Sequence, residues 1–290
     1  MEETAVIVVG AGPAGIATSA CLTVHSIPHL ILEKDDCAAP LWQKYSYDRL
    51  HLHLSKRICH LPYAPFPSDY PTFVPKLQYI DYLKSYMSTY KIAPLLKRNV
   101  EQASFSEDSN LWTVLARNLD SGVTEQYRCR FIVVATGNFN SPHIPEIEGL
   151  HDFKGEVIHS TQYKNGKDLA GKAVLVVGSG NSGMEIALDA SNYNAVTSIV
   201  VRSPTHVVTR WLMRIALRLN KFIGVKKTDF FLVWCSRLVY GDLSKYGIFR
   251  PKDGGPQQRV FLSGKFPVID VGTVKKIKSG EIQVRQVDIE

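Results

Sequence analysis

The sequence predicts an α/β protein in which two parallel-sheet units follow one another along 290 residues. Three observations predict it. The first is AVIVVGAGPAGIATSACLTVHSIPHLILEKDD, which passes from a β-branched strand through a glycine loop and a helix-like stretch to a second apolar strand. The second is KAVLVVGSGNSGMEIALDASNYNAVTSIVVRSP, which repeats that design later in the chain. Each fits a βαβ unit of about 30 residues. The third is the unbroken apolar character of AVIVV and VLVV, expected of strands buried on both faces of a parallel sheet.

Composition narrows the class. Apolar residues make up 45% and charged residues 21% of the chain, which is ordinary for a soluble globular protein, and the length fits about two domains. A net charge of +7 favours anionic ligands or a negative surface. No dense Lys/Arg block is present, so a mildly basic surface is expected and no nucleic-acid partner. The five cysteines, Cys21, Cys37, Cys59, Cys129 and Cys235, form no CxxC pair. A disulfide framework, a zinc site and a dithiol redox centre are therefore not expected, and no metal ligand is assigned. This usage points to a reducing, cytoplasmic compartment. The chain opens directly on a strand, so no secretory signal is expected. No apolar run approaches about 18 residues, so no integral membrane segment is expected. The longest clean run, FFLVWC at 230–235, has the length of a core segment. The sequence assigns no oligomeric state.

In the first unit, GAGPAG follows the opening strand. Gly10 permits the tight turn, Gly12 lets backbone approach a pyrophosphate, and Gly15 lets helix and strand pack closely, with Pro13 and Ala14 completing the loop. The free N–H groups of the following helix then meet the negative charge. Glu33, with Lys34 after it, ends the second strand roughly 20 residues on, where a carboxylate accepts from a ribose 2′-OH and repels a 2′-phosphate. Loop, strand, helix and acid together are a specific dinucleotide signal, of the FAD or NAD type.

Between the glycine loops the chain is less regular. HLPYAPFPSDYPTF, 60–73, is aromatic and Pro-rich. KLQYIDYLKSYMSTYKI reads as an amphipathic helix, and NLWTVLARN and TEQYRCRFIVVATG as strands returning to a sheet. DFKGEVIHSTQY, 152–163, has neither helical nor strand periodicity.

The second loop, GSGNSG, places Gly178, Ser179, Gly180, Asn181, Ser182 and Gly183 after VLVV. Its second strand ends in Arg202 and Ser203, not in an acid. A guanidinium can clamp a 2′-phosphate, so this loop reads as an NADPH site; a solvated charge after a strand is the alternative for Arg202. Asn181 and Ser182 can bond phosphate or cap the helix. One Glu-type and one Arg-type site together imply a flavoprotein, carrying FAD and reduced by NADPH, with the chemistry borne by the flavin. A disulfide reductase shares this plan but requires the close cysteine pair that is absent. After Arg202, WLMRIALRLNKFIGVKK puts Arg210, Arg214, Arg218 and Lys221 on one helical face. A membrane-surface helix has this pattern; a covering helix with a cationic solvent face is the reading preferred.

The motifs together resemble the class B flavin monooxygenases. The pattern FxGxxxHxxx(Y/F) stands complete as Phe153, Gly155, His159 and Tyr163, and the ATG motif as Ala135, Thr136 and Gly137 in VVATGNFNSPHIP. LWQKYSYDRLHLHLSKRICHLP, GNSGMEIALD, HVVTR, YGDLSKYGIFRP and PVIDVGTVKKIKSGEIQV are similar to the plant YUCCA-type enzymes, over essentially the whole chain. The resemblance implies two Rossmann-like domains, the FAD domain interrupted by the NADPH domain. The FAD part is expected over 1–165 and 276–290, and the NADPH part over 166–275 with a basic helical insertion near 206–250. It implies conversion of indole-3-pyruvate, an indole keto acid, to indole-3-acetate with O2 through a C4a-peroxyflavin, as in auxin biosynthesis. Oxygenation of nitrogen or sulfur in another substrate is the alternative.

For single residues it implies less. Residues 152–163 are expected as a strand and loop passing near the nicotinamide. His159 can bond phosphate or ribose, or hold the connecting loop. Trp42 lies near the flavin by resemblance, or in the core. His51 and His53 alternate as on a strand and face one side, either the flavin pocket or solvent. Many animal-type relatives carry an Asn near this position, which makes His53 a departure. His53 and His159 are the catalytic candidates, neither with an assigned duty. The family also adds a segment that returns to the flavin sheet. Here the sequence ends at VRQVDIE, so a truncated chain with an incomplete flavin part is expected; a non-catalytic nucleotide-binding remnant is the corresponding alternative.

Overall fold

The computed structural model describes residues 2–286 and divides into two compact units. One takes the chain up to Ser46 with 50–52 and 56–162; the other takes 47–49, 53–55 and the chain from Tyr163 on.

The first unit opens with β1 (Glu2–Val9), α1 (Pro13–Val24) and β2 (His29–Leu32). Val6, Ile7 and Val8 of β1 are buried, as its unbroken apolar run requires of a strand covered on both faces. Pro13 occupies the first turn of α1, where its missing N–H costs nothing. Two single turns follow, α2 (Pro40–Gln43) and α3 (Lys56–Cys59), then α4 (Lys76–Thr89), β3 (Arg98–Ser106), β4 (Leu111–Asn118) and β5 (Thr124–Val134). The sheet order is β2-β1-β5-β4-β3. β1 is parallel to β2 and β5, and an antiparallel ribbon of β4 and β3 extends beyond β5.

Helix α4 buries Tyr79, Tyr82, Leu83 and Tyr86, the i, i+3, i+4, i+7 face of an amphipathic helix. Its tyrosines organise the Pro-rich stretch. The Tyr82 hydroxyl accepts from the Leu61 N–H at 2.8 Å and donates to the Ala64 carbonyl at 2.6 Å, and the Tyr86 hydroxyl donates to the Pro62 carbonyl. Phe66 lies on the Tyr82 ring, centroids 4.1 Å apart. Each buried hydroxyl thus has a partner while its ring fills the core.

The second unit contains β6 (Ala173–Val177), α5 (Asn181–Asn192), β7 (Val196–Val200), β8 (Val207–Thr209), α6 (Arg210–Tyr240), α7 (Pro256–Ser263), β9 (Val268–Asp270), α8 (Thr273–Lys278) and β10 (Ile282–Arg285). β6, β7 and β10 form a parallel sheet in the order β10-β7-β6, and β8 pairs in parallel with β9. Thr209 caps α6 through a bond from the Leu212 N–H. The helix turns at Gly224, whose φ is +75°. Buried Asp229 accepts from the N–H groups of Gln257 and Gln258 at the start of α7, where a carboxylate meets free donors and the positive helix end. Among the described residues no helix is long and apolar enough to cross a membrane.

Four expectations are corrected. First, β6 is not buried on both faces: Leu175 and Val177 are 58% and 53% exposed, because β6 is the edge strand and turns only alternate residues to the core. Second, residues 276–286 do not continue the flavin sheet. Ile282–Arg285 pair with Thr197–Val200, and Ile277 and Ile282 fill the second unit's core; residues 287–290 of that expected segment lie outside the described residues. Third, the preferred cationic solvent face of α6 is only part of what the helix turns outward. Arg218 and Lys221 are exposed, but Arg210 and Arg214 are half-buried, while Trp211, Ile215 and Phe222 are 56%, 44% and 84% exposed. Met213 and Ala216 enter the core; a residue two positions from Met213 lies about 200° round the helix and points away. In FFLVWC likewise only Leu232 is fully buried, with Phe230 and Trp234 exposed. Fourth, 153–162 contains no strand.

Candidate functional site: two glycine loops and a buried carboxylate

In the first loop the three glycines meet different demands. A Cβ on Gly15 would stand 1.9 Å from the Gly10 carbonyl oxygen, so helix and loop approach closely there. Gly10 has φ +103°, and a Cβ on it would stand 2.5 Å from the Ala135 carbonyl oxygen. The ATG segment therefore packs directly on the turn, and the Ala135 N–H donates to the Val9 carbonyl at 2.9 Å. Gly12 differs: a Cβ there would meet nothing within 4 Å. Protein packing does not require a glycine at that position. The open space leaves room for a ligand against the loop, and this is the feature of the residues present that fits a dinucleotide.

Glu33 is buried, and its two carboxylate oxygens accept from the Ala11 N–H at 2.7 Å and the Asp35 N–H at 2.9 Å. The acid thus shapes the glycine loop itself, with acceptor capacity left on each oxygen. Lys34, Ala14, Thr136 and Gly137 are exposed, and Pro13 is half-buried. Trp42 packs its edge on Tyr79, centroids 4.4 Å apart, against the first unit's core.

The second loop repeats the geometry. A Cβ on Gly183 would stand 2.0 Å from the Gly178 carbonyl oxygen, while Gly180 faces open space. Arg202 and Ser203 are exposed just beyond β7, and no ion-pair partner stands beside Arg202 among the described residues. Asn181 ties α5 to β9: its side chain accepts from the Ile269 N–H at 2.7 Å and donates to the Pro267 carbonyl. Ser182 hydrogen-bonds the Tyr47 hydroxyl, and burial pushes that phenol well above its ordinary range.

The linker residues separate. The Thr161 N–H donates to His159 Nδ1 at 3.2 Å, so the ring closes a local turn in the first unit. A Cβ on Gly155 would stand 2.5 Å from the Phe153 ring, which accounts for the small residue two positions after the aromatic. Tyr163 opens the second unit, and its hydroxyl donates to Asp189 at 2.8 Å. His51 makes an isolated bridge with Pro75 in the first unit, whereas His53 belongs to the second.

Sequence reasoning missed the charged cluster around α5. Glu185 is 1% exposed, with His53 Nε2 2.6 Å from its Oε1. Arg49 stands 3.9 Å from Glu185 and 4.0 Å from Asp189. Asp189 also accepts from the Gly166 N–H at 3.0 Å. The available signal was the pair of acids spaced i, i+4 inside the otherwise apolar GMEIALDAS. Among the described residues no group of three or more His, Cys, Asp or Glu side chains could hold a metal ion, and the five cysteines are free.

Residues 7–221 match the family described as pyridine nucleotide-disulphide oxidoreductase. The chain is 50% identical over 282 residues to the probable indole-3-pyruvate monooxygenase YUCCA10 of Arabidopsis thaliana, covering 97% of this chain and 73% of that protein. It is 45% identical over 288 residues to the indole-3-pyruvate monooxygenase YUCCA6 of the same plant, covering 97% and 68%. Among solved structures, the flavin-containing monooxygenase of Stenotrophomonas maltophilia superposes with a TM-score of 0.69 at 20% identity, over all of this chain and 72% of the other; that likeness concerns the fold.

Proposed function

The chain belongs to the YUCCA family of flavin monooxygenases, and from that premise we propose that it converts indole-3-pyruvate to indole-3-acetate. The proposed balance is one keto acid, one O2, one NADPH and one proton giving indole-3-acetate, CO2, NADP+ and water. FAD, when bound, supplies the electron transfer from nicotinamide to oxygen. The observation that carries the reading is the likeness to indole-3-pyruvate monooxygenases over 97% of the chain. The paired loops support it, each with a second glycine that leaves open space beside the backbone for a ligand.

The chain's own contribution is binding and orientation. The N-terminal N–H groups of α1 and α5 offer donors and positive helix ends to two pyrophosphates. Gly12 and Gly180 leave the backbone open to that approach. Glu33 holds the first loop in shape through Ala11 and Asp35. Arg202 offers a solvated guanidinium to the 2′-phosphate that distinguishes NADPH from NADH. No side-chain nucleophile is required, because the reaction proceeds at the cofactor. A cytoplasmic site of action goes with this reading, supported by five unpaired cysteines.

The test is a visible spectrum of the purified chain, followed by NADPH oxidation with and without indole-3-pyruvate. A flavin spectrum and indole-3-acetate formed in proportion to NADPH consumed are expected. A chain that takes up FAD but forms no indole-3-acetate overturns the assigned substrate. One that takes up no added FAD overturns the monooxygenase reading.

A further inference from the structure

Glu185 is a carboxylate taken almost wholly out of water, and burying one is costly unless it is paired. Its Oε1 meets His53 Nε2 at 2.6 Å, and its Oε2 makes no hydrogen bond. Arg49 Nε stands 3.9 Å from Oε2, beyond hydrogen-bond reach. Arg210 and the Tyr47 phenol also face the carboxylate. Among the described residues, the one side-chain hydrogen bond of this buried acid is therefore to a histidine whose side chain keeps 25% of its surface exposed.

A carboxylate accepts hydrogen bonds, so the contact to Oε1 favours the ring form in which Nε2 is the donor. In the neutral ring Nδ1 is then left as an acceptor, and it makes no hydrogen bond among the described residues. Glu185 lies two residues beyond Gly183, on the helix that the second loop begins. We propose that Glu185 is a positioning residue that locks His53 in the Nε2–H form, so that Nδ1 accepts a hydrogen bond from the nicotinamide nucleotide bound at the second loop. The inference rests on the NADPH assignment above. A nicotinamide nucleotide supplies the matching donors, carboxamide N–H and ribose hydroxyl.

The test is nitrogen NMR of the ¹⁵N-histidine-labelled chain, with His53 assigned by its loss in His53→Asn, before and after addition of NADP+. His53 in the unaltered chain is expected to be protonated at Nε2 only, and its Nδ1 signal to move on NADP+ binding. In Glu185→Ala, and more mildly in the volume-conserving Glu185→Gln, the signal is expected to show mixed tautomers. NADP+ binding, measured by calorimetry, is expected to weaken on the order of tenfold in both Glu185→Ala and His53→Ala, the worth of one hydrogen bond, with the double variant no weaker than either. Replacing the carboxamide by a carboxylate in the nucleotide separates the two donors: loss of the Nδ1 shift identifies the carboxamide, its persistence the ribose. Unchanged His53 tautomers in both Glu185 variants overturn the proposal. An unaltered chain that binds NADP+ without moving the Nδ1 signal overturns it while leaving the NADPH assignment standing. No NADP+ binding by the unaltered chain overturns both.

Discussion

The Cβ that Gly15 lacks would lie 1.9 Å from the carbonyl oxygen of Gly10, and the same relationship recurs at 2.0 Å between Gly183 and Gly178. Two loops far apart in the sequence thus reach one geometry, with the third glycine needed by the fold and the second, Gly12 or Gly180, left to face open space.

That difference separates fold from binding. Gly15→Ala and Gly183→Ala drive a methyl group into backbone and are expected to destabilise their own units by about 1–3 kcal/mol. Scanning calorimetry would read this as a drop in Tm of about 2–4 °C per kcal/mol. Gly12→Ala and Gly180→Ala are expected to leave Tm nearly unchanged and to abolish FAD and NADPH binding respectively. Equal Tm losses at all four positions would contradict the distinction.

Arg202→Ala is expected to raise the KM for NADPH on the order of tenfold to a hundredfold, the worth of a charge-assisted hydrogen bond. The KM for NADH should hardly move. Arg202 is exposed, so thermal stability should stay within about 0.5 kcal/mol. Equal effects on both nucleotides would remove the 2′-phosphate role.

Gly224 turns α6 with φ +75°, yet a Cβ there meets nothing within 4 Å. Gly224→Ala is expected to cost on the order of 1–3 kcal/mol, because φ +75° with ψ 164° is a backbone region essentially confined to glycine, and Gly224→Asn is expected to cost a similar amount, since Asn favours positive φ only near the αL region. Urea unfolding of the three chains measures both costs; an Ala variant as stable as Gly would show that the turn carries no strain.

In the first unit, Arg98 grips both oxygens of Glu125 at 3.0 Å, and Tyr127 and Asn118 donate to the same carboxylate. The bond to Arg98 leads these in holding the Glu125 carboxyl down at about 2. A carboxyl lowered on folding adds stability above its unfolded value, about 4.3, and loses it as pH falls toward 2. The urea midpoint should therefore decline across that window, and Glu125→Gln should flatten part of the decline. An unchanged slope in the variant would assign the acid sensitivity to other carboxylates.

Much of this protein is determined by its sequence alone, because the deciding constraints are local. Three glycines at fixed spacing after a β-branched strand admit few backbone paths, so both βαβ units and their loops are legible residue by residue. The tyrosine face of α4 is legible for the same reason, since Tyr79, Tyr82, Leu83 and Tyr86 follow the helical period. Tertiary structure decided the rest. The wheel of α6 carries a basic and an apolar stripe, and only the fit of Met213 and Ala216 beside Val208 and Ile269 chose which residues face out. Ile282–Arg285 could extend any parallel sheet, and pairing with β7 placed it in the second. His53 and Glu185 stand 132 residues apart; no local pattern joins them, and their contact exists because the fold brings a buried carboxylate and a histidine together.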